Sequence, residues 1–131
     1  MRYLPPFEIL RSFVNIETVK GELVVTCSYE NFIQMLRRAL VGVQVNEGWY
    51  LERYTDIADA IRAGIVESAR SHFVNDGYFE GRWPFPMTVD ERYYLENNPG
   101  VADYVRRAML KSGQQHFEEN GYEEGRLPFG L

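Results

Sequence analysis

Residues 77–85 read GYFEGRWPF, and residues 121–129 read GYEEGRLPF. Working outward from this phrase, a much longer correspondence emerges. Residues 45–87, VNEGWYLERYTDIADAIRAGIVESARSHFVNDGYFEGRWPFPM, align without a gap to residues 89–131, VDERYYLENNPGVADYVRRAMLKSGQQHFEENGYEEGRLPFGL. The offset is a constant 44 residues, and 18 of the 43 aligned positions are identical. That level of ungapped identity marks a duplicated unit. A period of about 20–50 residues means one supersecondary unit per copy.

Each copy reads as three short helices. Asn46 and Asp90 stand where an N-cap belongs, with Glu47 and Glu91 in the first turn to meet the helix dipole. The first helix carries Trp49, Tyr50 and Leu51, matched by Tyr93, Tyr94 and Leu95. Pro99 fits a first helical position, where a missing N–H costs nothing. The second helix spaces Ile57, Ile61 and Ile65, matched by Val101, Val105 and Met109, along one stripe. The third carries Val66, Ala69 and Phe73, matched by Leu110, Gly113 and Phe117.

The quoted phrase then reads as an ending. Gly77 and Gly121 are expected at the left-handed position just past a helix, with Tyr78 and Tyr122 packing back on Phe73 and Phe117. Gly81 and Gly125 mark a second sharp turn. Pro84 and Pro128 hold the exit extended. Phe79 and Trp83 of the first copy become Glu123 and Leu127 in the second, so the first phrase is the one expected to face other protein.

Residues 1–44 differ in kind. RSFVNIE and GELVVTC read as two short strands around a Lys20-Gly21 turn. Ser28 caps a helix from Tyr29 to about Val43 with Phe32, Leu36, Leu40 and Val43 on one face. The predicted fold is therefore mainly α: a tandem three-short-helix repeat preceded by a β-hairpin and a helix. Residues 1–44 are the capping or dimerisation segment, 45–88 the first repeat and 89–131 the second, in one compact domain. Two repeats bury little surface alone. Two strands leave open edges. Both facts point to a homodimer through residues 8–27 or the helix after them.

Composition narrows the function classes. The net charge is −5 over 131 residues. The basic face that nucleic acid or anionic lipid requires is missing. No apolar run is long enough to span a bilayer, and the start MRYLPPFEIL has no signal-type apolar core. The single cysteine, Cys27, cannot form an internal disulfide, and a plain buried or half-buried thiol is expected there. These features point to the cytoplasm.

Catalytic motifs are lacking, and no cofactor or metal is implied. There is no GxSxG, HExxH, Walker loop or GxGxxG. His72 and His116 recur at the same place in each copy but have no second His or Cys beside them, so a structural role is expected. Arg82 and Arg126 are the most interesting repeated charges. With Tyr78, Trp83 and Tyr122 they form a candidate binding set for a carboxylate, phosphate or saccharide. The reading favoured for the same arginines is structural: they bond helix-end carbonyls or pair with Glu80 and Glu124.

The stretches YLERYTDIADAIRAG, ESARSHFVNDGYFEGRWP, YLENNPGVADYVRRA and KSGQQHFEENGYEEGRLP carry a resemblance. They resemble a bacterial repeat module of the form Tyr-Leu, Asn-Pro-Asp-Val-Ala, Ser-Ala, His-Phe, Gly, Glu-Gly-Arg-x-Pro. Gly100 replaces the usual Asp. Such modules are attached to, or encoded near, glycosyltransferases and methyltransferases of surface-polysaccharide synthesis. The resemblance implies a non-catalytic interaction or assembly module with such an enzyme as its partner. The alternative is a small protein that binds a saccharide or sugar phosphate.

Overall fold

A computed structural model describes residues 2–131. The protein is mainly α-helical with one two-stranded antiparallel sheet. Where the sequence suggests one compact domain, the chain clusters into two compact units, residues 1–85 and 86–131.

The first unit joins the N-terminal segment to the first repeat. A helix absent from the sequence reading, α1 (Phe7–Arg11), starts directly after Pro6. The hairpin follows as β1 (Asn15–Val19) and β2 (Glu22–Thr26). Lys20 and Gly21 turn it with positive φ angles of 51° and 82°, the primed turn that matches strand twist. Helix α2 (Tyr29–Leu40) opens at Ser28, whose hydroxyl accepts from the Asn31 N–H at 3.0 Å. It ends at Leu40, short of the expected Val43, where a tighter turn bonds the Val43 N–H to the Leu40 carbonyl.

The first repeat supplies α3 (Glu47–Arg53), α4 (Thr55–Arg62) and α5 (Ala69–His72), which runs on as a π-helical turn, Phe73–Gly77. Tyr50, Ile57, Ala69 and Phe73 form its core. Leu40, Val43, Trp49, Tyr54 and Ile61 pack around them. The second unit repeats the pattern with α6 (Glu91–Asn97), α7 (Pro99–Arg106) and α8 (Gly113–His116), followed by a π turn at Phe117–Gly121. Val89, Tyr94, Val101 and Phe117 are buried there.

Caps explain where these helices begin. Asn46 and Asp90 side chains each accept from the backbone N–H three residues on, at 3.0 Å. Pro99 occupies the first turn of α7. Two expectations need correcting. Ile65 and Met109 do not extend the buried stripe. Helices α4 and α7 end at Arg62 and Arg106, the chain reverses through positive φ at Gly64 and Ala108, and both side chains are left exposed. Cys27 is exposed rather than buried or half-buried, because it follows β2, whose own residues are mostly exposed.

Candidate functional site

The repeated phrase builds a joint rather than a helix stop at its first glycine. Gly77 and Gly121 are not in the left-handed region; each closes a π-helical turn. Glycine is needed there for a different reason. A Cβ at Gly77 would collide with the Tyr50 hydroxyl, and one at Gly121 with the Tyr94 hydroxyl. The left-handed turn comes four residues later, at Gly81 and Gly125, with φ of 80° and 77°. Tyr78 and Tyr122 pack edge-on against Phe73 and Phe117, with ring centroids 6.3 and 6.0 Å apart.

Pro84 and Pro128 do more than hold an extended exit. Their carbonyls accept from the N–H groups of Asn46 and Asp90, both at 2.9 Å. Each repeat is thereby tied end to start. Glu47 and Glu91 add a second tie, since their carboxylates accept from the first N–H groups of α5 and α8. These bonds come from Arg70 to Glu47, and from Gly113 and Gln114 to Glu91.

Inside this closed unit lies a chain of polar side chains. The fully buried Tyr50 bonds His72 Nδ1 at 2.8 Å. His72 Nε2 lies 3.3 Å from Glu80. The same carboxylate accepts from Arg82 Nε at 3.1 Å. Arg82 then forks onto Asp56, with two bonds of 2.9 and 2.8 Å, and stacks over the Tyr54 ring. A carboxylate beside Nε2 favours a proton on that nitrogen, so Nδ1 is left to accept from the tyrosine hydroxyl. Burial pushes the Tyr50 hydroxyl up to about 12, partly opposed by the nearby Arg82 charge. The Arg82 hydrogen bonds hold the Asp56 carboxyl below its ordinary value, and Asp56 in turn raises Arg82.

The second copy keeps the inner half and alters the outer half. Tyr94 bonds His116 Nδ1 at 2.7 Å, and His116 Nε2 lies 3.7 Å from Glu124. Burial raises the Tyr94 hydroxyl as well. Arg126 pairs with Glu124 at 3.0 Å. Its far end meets Asn98 Oδ1 at 2.6 Å, because Gly100 stands where the first copy has Asp56.

Comparison with protein-family models, with curated proteins and with solved structures found no match.

The first repeat's members of the candidate binding set each meet protein groups. Tyr78 is partly covered by Phe73 and Phe79, Trp83 is buried, and Arg82 is turned toward Asp56 and Glu80. Trp83 also donates its backbone N–H to the Tyr54 hydroxyl at 2.8 Å. An open cleft of about 530 Å³ lies instead at the start of the first repeat, lined by Gln44, Val45, Asn46, Glu47 and Phe85. Among the described residues its lining holds one carboxylate, Glu47, and no histidine, cysteine or cationic side chain.

His72 and His116 have both ring nitrogens turned toward protein groups, which is a positioning arrangement within the fold. Among the described residues, no group of three or more His, Cys, Asp or Glu side chains is placed to hold a metal ion. No described helix is long and apolar enough to cross a membrane.

The sequence reading missed three members of the chain: Tyr50 with Tyr94 as the histidine's partner, Glu80 with Glu124 as its second neighbour, and Asp56 as the arginine's. For the first two a signal exists. All are polar groups identical in both copies, which a plain helical core does not require.

Proposed function

We propose that the chain is a non-catalytic interaction module in which each repeat is a closed structural unit and the N-terminal segment carries the partner surface. One observation supports this above the rest. From residue 2 to residue 40, only Pro5 is buried. The exposed side chains in that stretch include large apolar ones: Leu4 at 90%, Phe7 at 71%, Leu23 at 76% and Tyr29 at 77%. Scattered apolar residues on a surface are ordinary, but their concentration on one segment marks an association site. Helices α1 and α2 contain no buried residue at all.

The partner class follows from chemistry and from resemblance. A net charge of −5 disfavours polyanions. The repeat's likeness to modules beside surface-polysaccharide enzymes makes a glycosyltransferase or a neighbouring methyltransferase the proposed partner. The saccharide reading of Tyr78, Arg82, Trp83, Tyr122 and Arg126 has less behind it, since the arginine forks are directed at Asp56, Glu80, Asn98 and Glu124.

The test is affinity capture from the native host with the wild-type chain and a Phe7→Asp/Tyr29→Asp variant. The expected result is an enzyme of polysaccharide synthesis retained by the wild type and lost from the variant, with the far-UV circular dichroism melt unchanged. Equal capture by both, or capture by neither, would overturn the proposal.

A further inference from the structure

The hairpin is the least supported element of the first unit. Among the described residues its strands pair with each other, and no helix packs extensively on them. Outside this ladder, no main-chain hydrogen bond among the described residues involves residues 15–27. Two strands alone are marginal in water.

The register decides which backbone groups are free. Val19 pairs with Glu22 across the turn, Glu17 with Val24 and Asn15 with Thr26. In a two-residue primed turn the closing pair is hydrogen-bonded, and bonded pairs then alternate along the ladder. Residues 22, 24 and 26 therefore bond inward to β1. Leu23 and Val25 direct their N–H and C=O groups out of the free edge of β2. On β1 the outward residues are Ile16 and Thr18.

The two edges are not equivalent. Antiparallel pairing of β1 with a second β1 over its full length puts Glu17 opposite its own copy, a like-charge contact. For β2 the full-length register centres on Val24. Leu23 then faces Val25 of the other copy, Val24 faces Val24, and Glu22 faces Thr26. No like charges meet, and apolar side chains oppose apolar ones. The outward groups of Leu23 and Val25 form two bonded pairs, about four main-chain hydrogen bonds in all. Edge strands are usually blunted by a charge, a proline or a bulge. The middle of β1 has such a charge; the middle of β2 has none of these.

We infer that the free edge of β2 is the site at which a second copy of this chain adds, giving a four-stranded sheet in the order β1-β2-β2-β1 about a two-fold axis. This rests on the reading of the N-terminal segment as an association surface and names one occupant of it. The joined sheet sets Ile16, Leu23 and Val25 of both copies on one face, since Ile16 pairs with Val25 and Thr18 with Leu23.

Two measurements test it, and both are separate from capture of an enzyme partner. Light scattering of the full chain at micromolar concentration is expected to give twice the mass of one chain. In a Cys27→Ser background, Val24→Cys should form an interchain disulfide on mild oxidation. It would occupy a non-bonded pair with Cα atoms about 4.5 Å apart, within disulfide reach. Glu17→Cys in the same background should not cross-link. A single-chain mass, or cross-linking at Glu17→Cys without Val24→Cys, would overturn the inference. Loss of enzyme capture with the dimer intact would overturn only the partner reading.

Discussion

The two repeats share a joint and differ in how it is finished. In both, a buried tyrosine reaches a histidine, the histidine nears a glutamate, and the glutamate pairs with an arginine. In the first repeat the arginine goes on to fork onto Asp56. In the second it stops at the amide of Asn98. The tyrosine–histidine pair is shared and largely buried in both copies. The partner beyond the arginine differs: Asp56 is 60% exposed, whereas Asn98 is buried. A buried tyrosine or histidine nitrogen without a partner is costly, whereas an exposed ion pair contributes little.

Gly77→Ala and Gly121→Ala each push a methyl group into a buried tyrosine hydroxyl and should cost about 1–3 kcal/mol or more. Both tryptophans lie in residues 1–85, so their emission follows unfolding of the first unit. Circular dichroism is needed for the second. An unchanged denaturation midpoint in either variant would break the account of the glycines.

Next come Tyr50→Phe and Tyr94→Phe. Each leaves a histidine nitrogen without its donor, with an expected loss of about 1–3 kcal/mol. The loss should be at least as large for Tyr50→Phe, because His72 is the more buried ring, at 7% side-chain exposure against 12% for His116. Urea titration of the two variants checks the order.

Alkaline titration gives the third effect. The folded Tyr50 hydroxyl sits at about 12 against an ordinary 10.0, so the fold favours its protonated form. That stabilisation is complete below pH 10.0 and is lost as pH rises through about 12. Tryptophan-monitored stability of the wild type should fall over this window, and Tyr50→Phe should flatten part of the slope.

The smallest effect belongs to the diverged position. Asp56→Gly should cost less than about 1 kcal/mol, and Gly100→Asp should gain no more than that. Asp56 has a lowered folded value, so its contribution is present above pH 3.8 and fades as pH falls through the folded value. Asp56→Gly should remove this acid dependence. A cost of several kcal/mol would mean that the outer half is as integral as the inner.

Much of the fold was legible because local chemistry marks its own ends. Ser28, Asn46 and Asp90 each cap the helix they precede, and Pro99 starts the one it opens. Lys20-Gly21 turns the hairpin as its residue types suggest. What escaped was set by distance in the chain. Tyr50 and His72 are 22 residues apart, and nothing local announces that they touch. The role of Gly77 escaped for the same reason, since its constraint is a hydroxyl from α3 rather than its own backbone angle. Helix α1 escaped because five residues show no period. For Arg82 the pairing with Glu80, two residues away, is legible, but the fork onto Asp56 spans 26 residues and nothing local announces it.

The repeated phrase closes a structural unit around a fixed histidine. The most direct test is long-range nitrogen–proton NMR of the two histidine side chains at about pH 8.5, above the ordinary imidazole range. Both rings are expected to hold the Nε2–H tautomer, with Nδ1 accepting from Tyr50 and Tyr94. Rings that average between both tautomers, as free histidines do, would contradict it.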